Sequence, residues 1–168
     1  MIMSNTAKIN KGYILVVFLL TLFLPALSVF IETLLKPDLP LSSSVIGKWF
    51  IFWAVGLRLL IAGLRQASNP SFTAETIFHI ENKESHIIIR ELGFANICFG
   101  LIGVLSFFLP QWRIVSAFGS GLFYGIAGIN HIIKKPVGSN EMIALVSDIF
   151  IFICLLVYVL VNFTTTPE

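Results

Sequence analysis

Charge is what this sequence has least of: 12% of its 168 residues are Asp, Glu, Lys or Arg, about half the share of a soluble domain. So little charge excludes a disordered chain, a coiled coil and an ordinary soluble surface. The net charge is +2, spread along the chain without a basic run, which excludes an electrostatic face for nucleic acid. Cysteine is scarce as well. Cys98 and Cys154 lie singly in apolar stretches, with no CxxC spacing and no neighbouring His, so neither a zinc motif nor a disulfide scaffold is supported. Both read as small buried hydrophobes. There is no internal repeat, and the Thr164-Thr165-Thr166 tail is the one low-complexity stretch. What the chain has in quantity is apolar side chain: 57% hydrophobic residues, 16 Phe and a mean hydropathy of +0.92.

Crossing a hydrocarbon layer of ~30 Å takes about 20 mostly apolar residues. Five runs of that kind are expected to span: 13–35, 48–64, 91–109, 113–133 and 141–163. Charge, Pro or polar clusters bound them, such as Lys36-Pro37-Asp38 after the first and Lys134-Lys135-Pro136 after the fourth. The expected fold is therefore an all-α integral membrane protein, a single domain of about five transmembrane helices. Ala26-Leu27-Ser28 resembles a signal-peptide cleavage site, but the apolar run continues to Leu35, so an uncleaved helix is expected. The one long connection, 66–90, places Phe72, Ile77, Phe78 and Ile80 among charges. That pattern predicts a short helix lying at the membrane interface between spans two and three.

Basic residues in short loops set orientation. Lys8, Lys11, Arg65, Lys83, Arg90, Lys134 and Lys135 fall on the side of the N-terminus, against Lys36, Lys48 and Arg113 on the other. The N-terminus is expected in the cytoplasm and the C-terminus outside, an arrangement that suits a bacterial inner membrane.

An ionisable group inside a span costs roughly 2.5–3.5 kcal/mol on insertion scales, so its placement carries functional information. At ~1.5 Å per residue, Arg58, Asn96, Tyr124, His131 and Asp148 all fall in the half nearer the N-terminus, with Glu91 and Asn140 at the helix ends there. No comparable cluster is expected in the other half. Gly93, Asn96, Gly100 and Gly103 form a small-residue stripe, and Gly121, Gly125 and Gly128 a second; both read as packing surfaces. Ser120, Tyr124, Gly128 and His131 share a face. Glu141 and Asp148, seven apart, share another, with Glu141 expected near the interface. Arg58 has the stem to snorkel. Asp148 does not, and needs Arg58 or His131 as a partner.

The stretch Glu91-Leu-Gly-Phe-Ala-Asn96 with Gly100 and Gly103, Gly128-Ile-Asn-His131, and Asn140 eight residues before Asp148 resemble a family of small bacterial membrane proteins. It is domain of unknown function 6790, itself loosely similar to the DoxX-like four-helix membrane family. The likeness runs from about Val55 to Leu160. Arg65 stands where that family tends to have a His, and Lys134 to Asn140 is poorer in Pro and Gly than its pattern. The resemblance implies a shared fold and a polar centre at Glu91, Asn96, His131, Asn140 and Asp148, and brings no activity with it.

Three functions fit these residues. The cluster binds or moves a proton, an ion or a small polar or lipid head group, and a carrier of this size would have to be a homo-oligomer. Alternatively the protein is an accessory subunit whose cluster serves packing. In a third reading the protein is a small membrane enzyme or redox accessory, in which Glu91, His131 and Asp148 act as acid and base on a lipid or quinone head group, or hold a metal, being suitable ligand types. They lack a recognised spacing, so no metal and no cofactor is assigned. The bilayer is the expected partner, and no nucleic acid is.

Overall fold

Asn10 begins the first helix, its Oδ1 accepting the Tyr13 N–H at 2.9 Å, a cap that satisfies one of the free donors of the first turn. In the computed structural model, which describes residues 10–38, 40–136 and 138–165, this helix, α1, runs Lys11–Leu35. Lys8 and Thr166 lie outside the described residues. Ser42 caps α2, Ser43–Ser68. A short helical turn, Phe72–Ile77, follows. Asn82 then turns the chain, accepting the Glu84 N–H at 2.9 Å, and α3 runs Ser85–Phe108. Pro110 cannot continue a helix ladder, so one 3-10 turn, Pro110–Trp112, leads into α4, Arg113–Lys134. Lys135, at φ +62°, closes α4 by donating its N–H to the His131 and Ile132 carbonyls. The last helix, α5, is Ser139–Thr165. No strand occurs among the described residues.

Four helices, α1, α2, α3 and α5, are long and apolar enough to cross a membrane. The fifth long helix, α4, has the length, but its Ser, Gly, Asn and His content leaves it less apolar. The helices also run past the boundaries expected from charge. Arg65 and Arg90 lie inside α2 and α3, because a long basic stem can stay helical while its head reaches water. The connection expected over 66–90 therefore shrinks to 69–84. It holds the predicted short helical segment, whose inward side is Thr73, Ala74 and Ile77.

Two helices change register midway. Residues Leu19–Phe23 of α1 and Ile51–Leu57 of α2 take π-helical turns, and these two stretches pack against each other. In α1 the turn opens just before Pro25, which has no N–H and whose ring crowds the carbonyl of the preceding turn. In α2, the Arg58 N–H bonds the Trp53 and Val55 carbonyls and passes over Ala54.

Consecutive helices are antiparallel. Trp53 Nε1 donates to Ser28 Oγ at 2.9 Å between α1 and α2. Gly56 meets Gly103 and Gly63 meets Gly93 between α2 and α3; Gly121 meets Leu155 and Gly128 meets Ile149 between α4 and α5. Both glycine stripes are thus contact surfaces, as their spacing predicts. The α2–α3 contact is the tighter: a Cβ on Gly100 would sit 2.5 Å from the Leu60 backbone nitrogen. Between α2, α4 and α5 lies the core of Ile51, Ala54, Val55, Tyr124, Ile151 and Leu155. The two cysteines do not join it. Cys98 is exposed on α3, and Cys154 of α5 is half-buried in a cleft beside Thr21 of α1 and Phe50 of α2.

Candidate functional site

The register change in α2 creates the first element of the site. Skipping Ala54 leaves that carbonyl free of the helix ladder, and the Tyr124 hydroxyl donates to it from α4 at 2.9 Å in a buried setting. The next turn of α2 carries Arg58 inward over the Tyr124 ring, its guanidinium carbon 5.1 Å from the ring centroid. Arg58 Nη2 then donates to Asp148 Oδ1 at 3.0 Å and to Ser147 Oγ at 2.8 Å, both on α5. Side-chain exposure is 11% for Arg58 and 12% for Asp148. Arg58 therefore pairs rather than snorkels. Its Nη1 is buried without a partner. Tyr13 of α1 lies in electrostatic range of both charges.

Two turns nearer the start of α5 is a second ionic group. Glu141 is fully buried, not near the surface as its position two residues into the helix predicts. Its Oε1 lies 3.4 Å from His131 Nδ1 and 3.3 Å from Lys134 Nζ, both on α4. The His131 contact is within ion-pair distance but not aligned as a hydrogen bond. The connector covers this group: the Phe78 ring stacks on His131 at 6.1 Å, and Lys134 Nζ donates to the Phe78 carbonyl at 3.2 Å. Beside it, fully buried Asn140 accepts the Asn10 backbone N–H at 3.0 Å, tying the start of α1 to the start of α5. His131 is also in electrostatic range of Asp148.

The seven candidates thus divide. Arg58, Tyr124 and Asp148 form one centre, and His131 and Asn140 belong to the adjoining one. Asn96 stands apart, donating from α3 to Gln66 Oε1 on α2 at 2.7 Å, a bond between helices. Glu91 is exposed and joins neither centre. Glu91, His131 and Asp148 do not converge, and among the described residues no group of three or more His, Cys, Asp and Glu side chains could hold a metal ion.

Glu141, Lys134, Ser147 and Gln66 complete these contacts, and sequence reasoning did not place them in the site. It also expected no cluster in the other half, which is corrected by Glu32 on α1. That buried carboxylate accepts from Lys48 Nζ, from Trp49 Nε1 at 2.6 Å and from Lys36 Nζ at 3.3 Å. The signal was present in sequence: an acid inside an apolar run, four residues before Lys36.

A family model described as a family of unknown function, DUF6790, matches residues 11–167. The chain belongs to that family. The match takes in all five long helices and both ionic centres. No curated protein and no solved structure matches the chain.

Proposed function

We propose that this member of the DUF6790 family is an integral membrane protein that takes up and relays protons through its buried ionic centres. One observation carries the reading. Two acids on one face of α5, Asp148 and Glu141, are both buried, each is paired with bases from other helices, and His131 stands beside one within electrostatic range of the other. Chains of Asp, Glu and His in this setting serve proton relays. A proton added to the Asp148 carboxylate forms an O–H and releases Arg58, which keeps its own proton. The proton passes next to the His131 imidazole, forming an imidazolium beside Glu141. From there it leaves at the end of the bundle where Lys134 and the Phe78 segment cover the group.

In this reading α4 crosses as well, giving five spans, with the segment Phe72–Ile77 at the interface. The excess of basic residues on the N-terminal side supports a cytoplasmic N-terminus and an external C-terminus, as in a bacterial inner membrane. The DoxX-like likeness supports a bundle of the same general kind.

The test is reconstitution into liposomes holding a pH-sensitive dye, with a potassium diffusion potential as the driving force. Wild type is expected to acidify the interior faster than protein-free liposomes, and Asp148→Asn to remove the difference. Wild-type flux equal to protein-free liposomes overturns the reading. A packing role is the second reading, favoured by the ion pair of Asp148 with Arg58, and that result would leave it standing.

A further inference from the structure

The least apolar of the long helices carries a polar line along its inward side. Ser116, Ser120 and Tyr124 recur every four residues on α4, so they share one face with a rise of about 6 Å per step. Ser116 is 3% exposed and Ser120 1%, and neither hydroxyl has a hydrogen-bond partner. Buried hydroxyls are normally satisfied, so two unsatisfied ones in succession on one face stand out. The line starts one turn from Arg113, which donates to Ser44 Oγ at 3.3 Å at the end of the bundle opposite Glu141. It ends at Tyr124, whose ring lies against the Arg58 guanidinium. Arg58 brings one further buried, unpartnered nitrogen.

We propose that protons reach the Arg58–Asp148 pair from the Arg113 end of the bundle along α4, by way of the hydroxyls of Ser116 and Ser120. The inference rests on the relay reading above and gives it an entrance. Ser116 and Ser120 stand about 6 Å apart along the helix axis, beyond direct hydrogen-bond reach, so the proposed route passes from one to the next through water. A serine hydroxyl both donates and accepts, which lets each station pass a proton on without holding charge. Ser116, Ser120, Tyr124 and His131 of α4 all lie on its inward face, while Val115, Phe118, Leu122 and Ile126 point outward.

The experiment uses the same liposome assay on wild type, Ser120→Val, Ser120→Thr and Ser116→Val, with the thermal midpoint of each purified protein as a check on folding. Ser120→Val and Ser116→Val are expected to lower proton flux at least tenfold, and Ser120→Thr, which keeps the hydroxyl, to stay within twofold of wild type. Should the Val variants fail to fold, Ser120→Ala and Ser116→Ala remove the hydroxyl without adding bulk and carry the same expectation. Wild-type flux with undiminished flux in the folded hydroxyl-less variants overturns the entrance and leaves the relay. Equal loss in Ser120→Thr and Ser120→Val also overturns it, because a packing defect and not the hydroxyl would then set the rate. Absence of wild-type flux overturns the relay itself, and the entrance with it.

Discussion

Replacing Asp148 with Asn leaves the Arg58 guanidinium buried against a neutral amide, and an uncompensated buried charge costs about 3–5 kcal/mol. Asp148→Asn is therefore expected to lower unfolding stability in detergent micelles by that order. The double variant Arg58→Met with Asp148→Leu removes both charges and is expected to recover most of the loss, while proton flux stays absent. A double variant no more stable than Asp148→Asn would show that the pair does not act as a unit. Tyr124→Phe deletes the hydroxyl that serves the Ala54 carbonyl, a loss of about 1 kcal/mol by the same unfolding measurement. At this scale the sequence was informative wherever depth alone decided. Arg58, Tyr124 and Asp148 lie far enough from any helix end that they had to face inward. Glu141 was not legible in the same way, because its place two residues into α5 does not reveal that His131 and Lys134 of α4 converge on it. Glu32 has a local cue in Lys36, four residues on, while its other partners, Lys48 and Trp49, come from a different run.

The α2–α3 contact depends on backbone approach at glycine. A Cβ on Gly100 would stand 2.5 Å from the Leu60 nitrogen, whereas on Gly119 it would meet only the Phe99 ring at 3.5 Å. Gly100→Ala is accordingly expected to cost about 1–3 kcal/mol and to lower the thermal midpoint, and Gly119→Ala to leave it unchanged or raise it slightly. Similar midpoints for the two variants would show that α2 and α3 do not meet through this stripe. The stripes were readable because small residues at spacings of three and four mark a helix face whatever the neighbour. The π-helical turns were not, since a change of hydrogen-bond register leaves no period in the side chains. Pro25 was the single local cue.

Across the molecule, the antiparallel order gathers Lys11, Arg65, Lys83, Arg90, Lys134 and Lys135 at one end of the bundle, and Lys36, Lys48 and Arg113 at the other. In a background lacking Cys98 and Cys154, Gln111→Cys and Lys135→Cys are expected to react with an impermeant maleimide from opposite faces of right-side-out vesicles. Labelling of both from one face would mean that α4 does not cross. The bond from the Asn10 N–H to Asn140 closes the first helix on the last, so Asn140→Leu, which leaves that N–H without its acceptor, is expected to cost about 1–3 kcal/mol, read as a lower thermal midpoint. The order of the helices was legible in the alternation of charge and apolar runs. This closure was not, since 130 residues separate its partners.

The widened turn at Ile51–Leu57 has a consequence beyond the carbonyl it frees. A π turn holds one residue more than an α turn, and in an α-helix each residue advances the side chain by about 100°. Arg58 follows directly after that extra residue. Wound as a plain α-helix from Ser43, the same residues would bring Arg58 round by more than a quarter turn, away from Asp148 and off the Tyr124 ring. The ion pair is thus fixed by phase: α2 works as a screw with one thread stretched, and the stretch aims the guanidinium at its carboxylate.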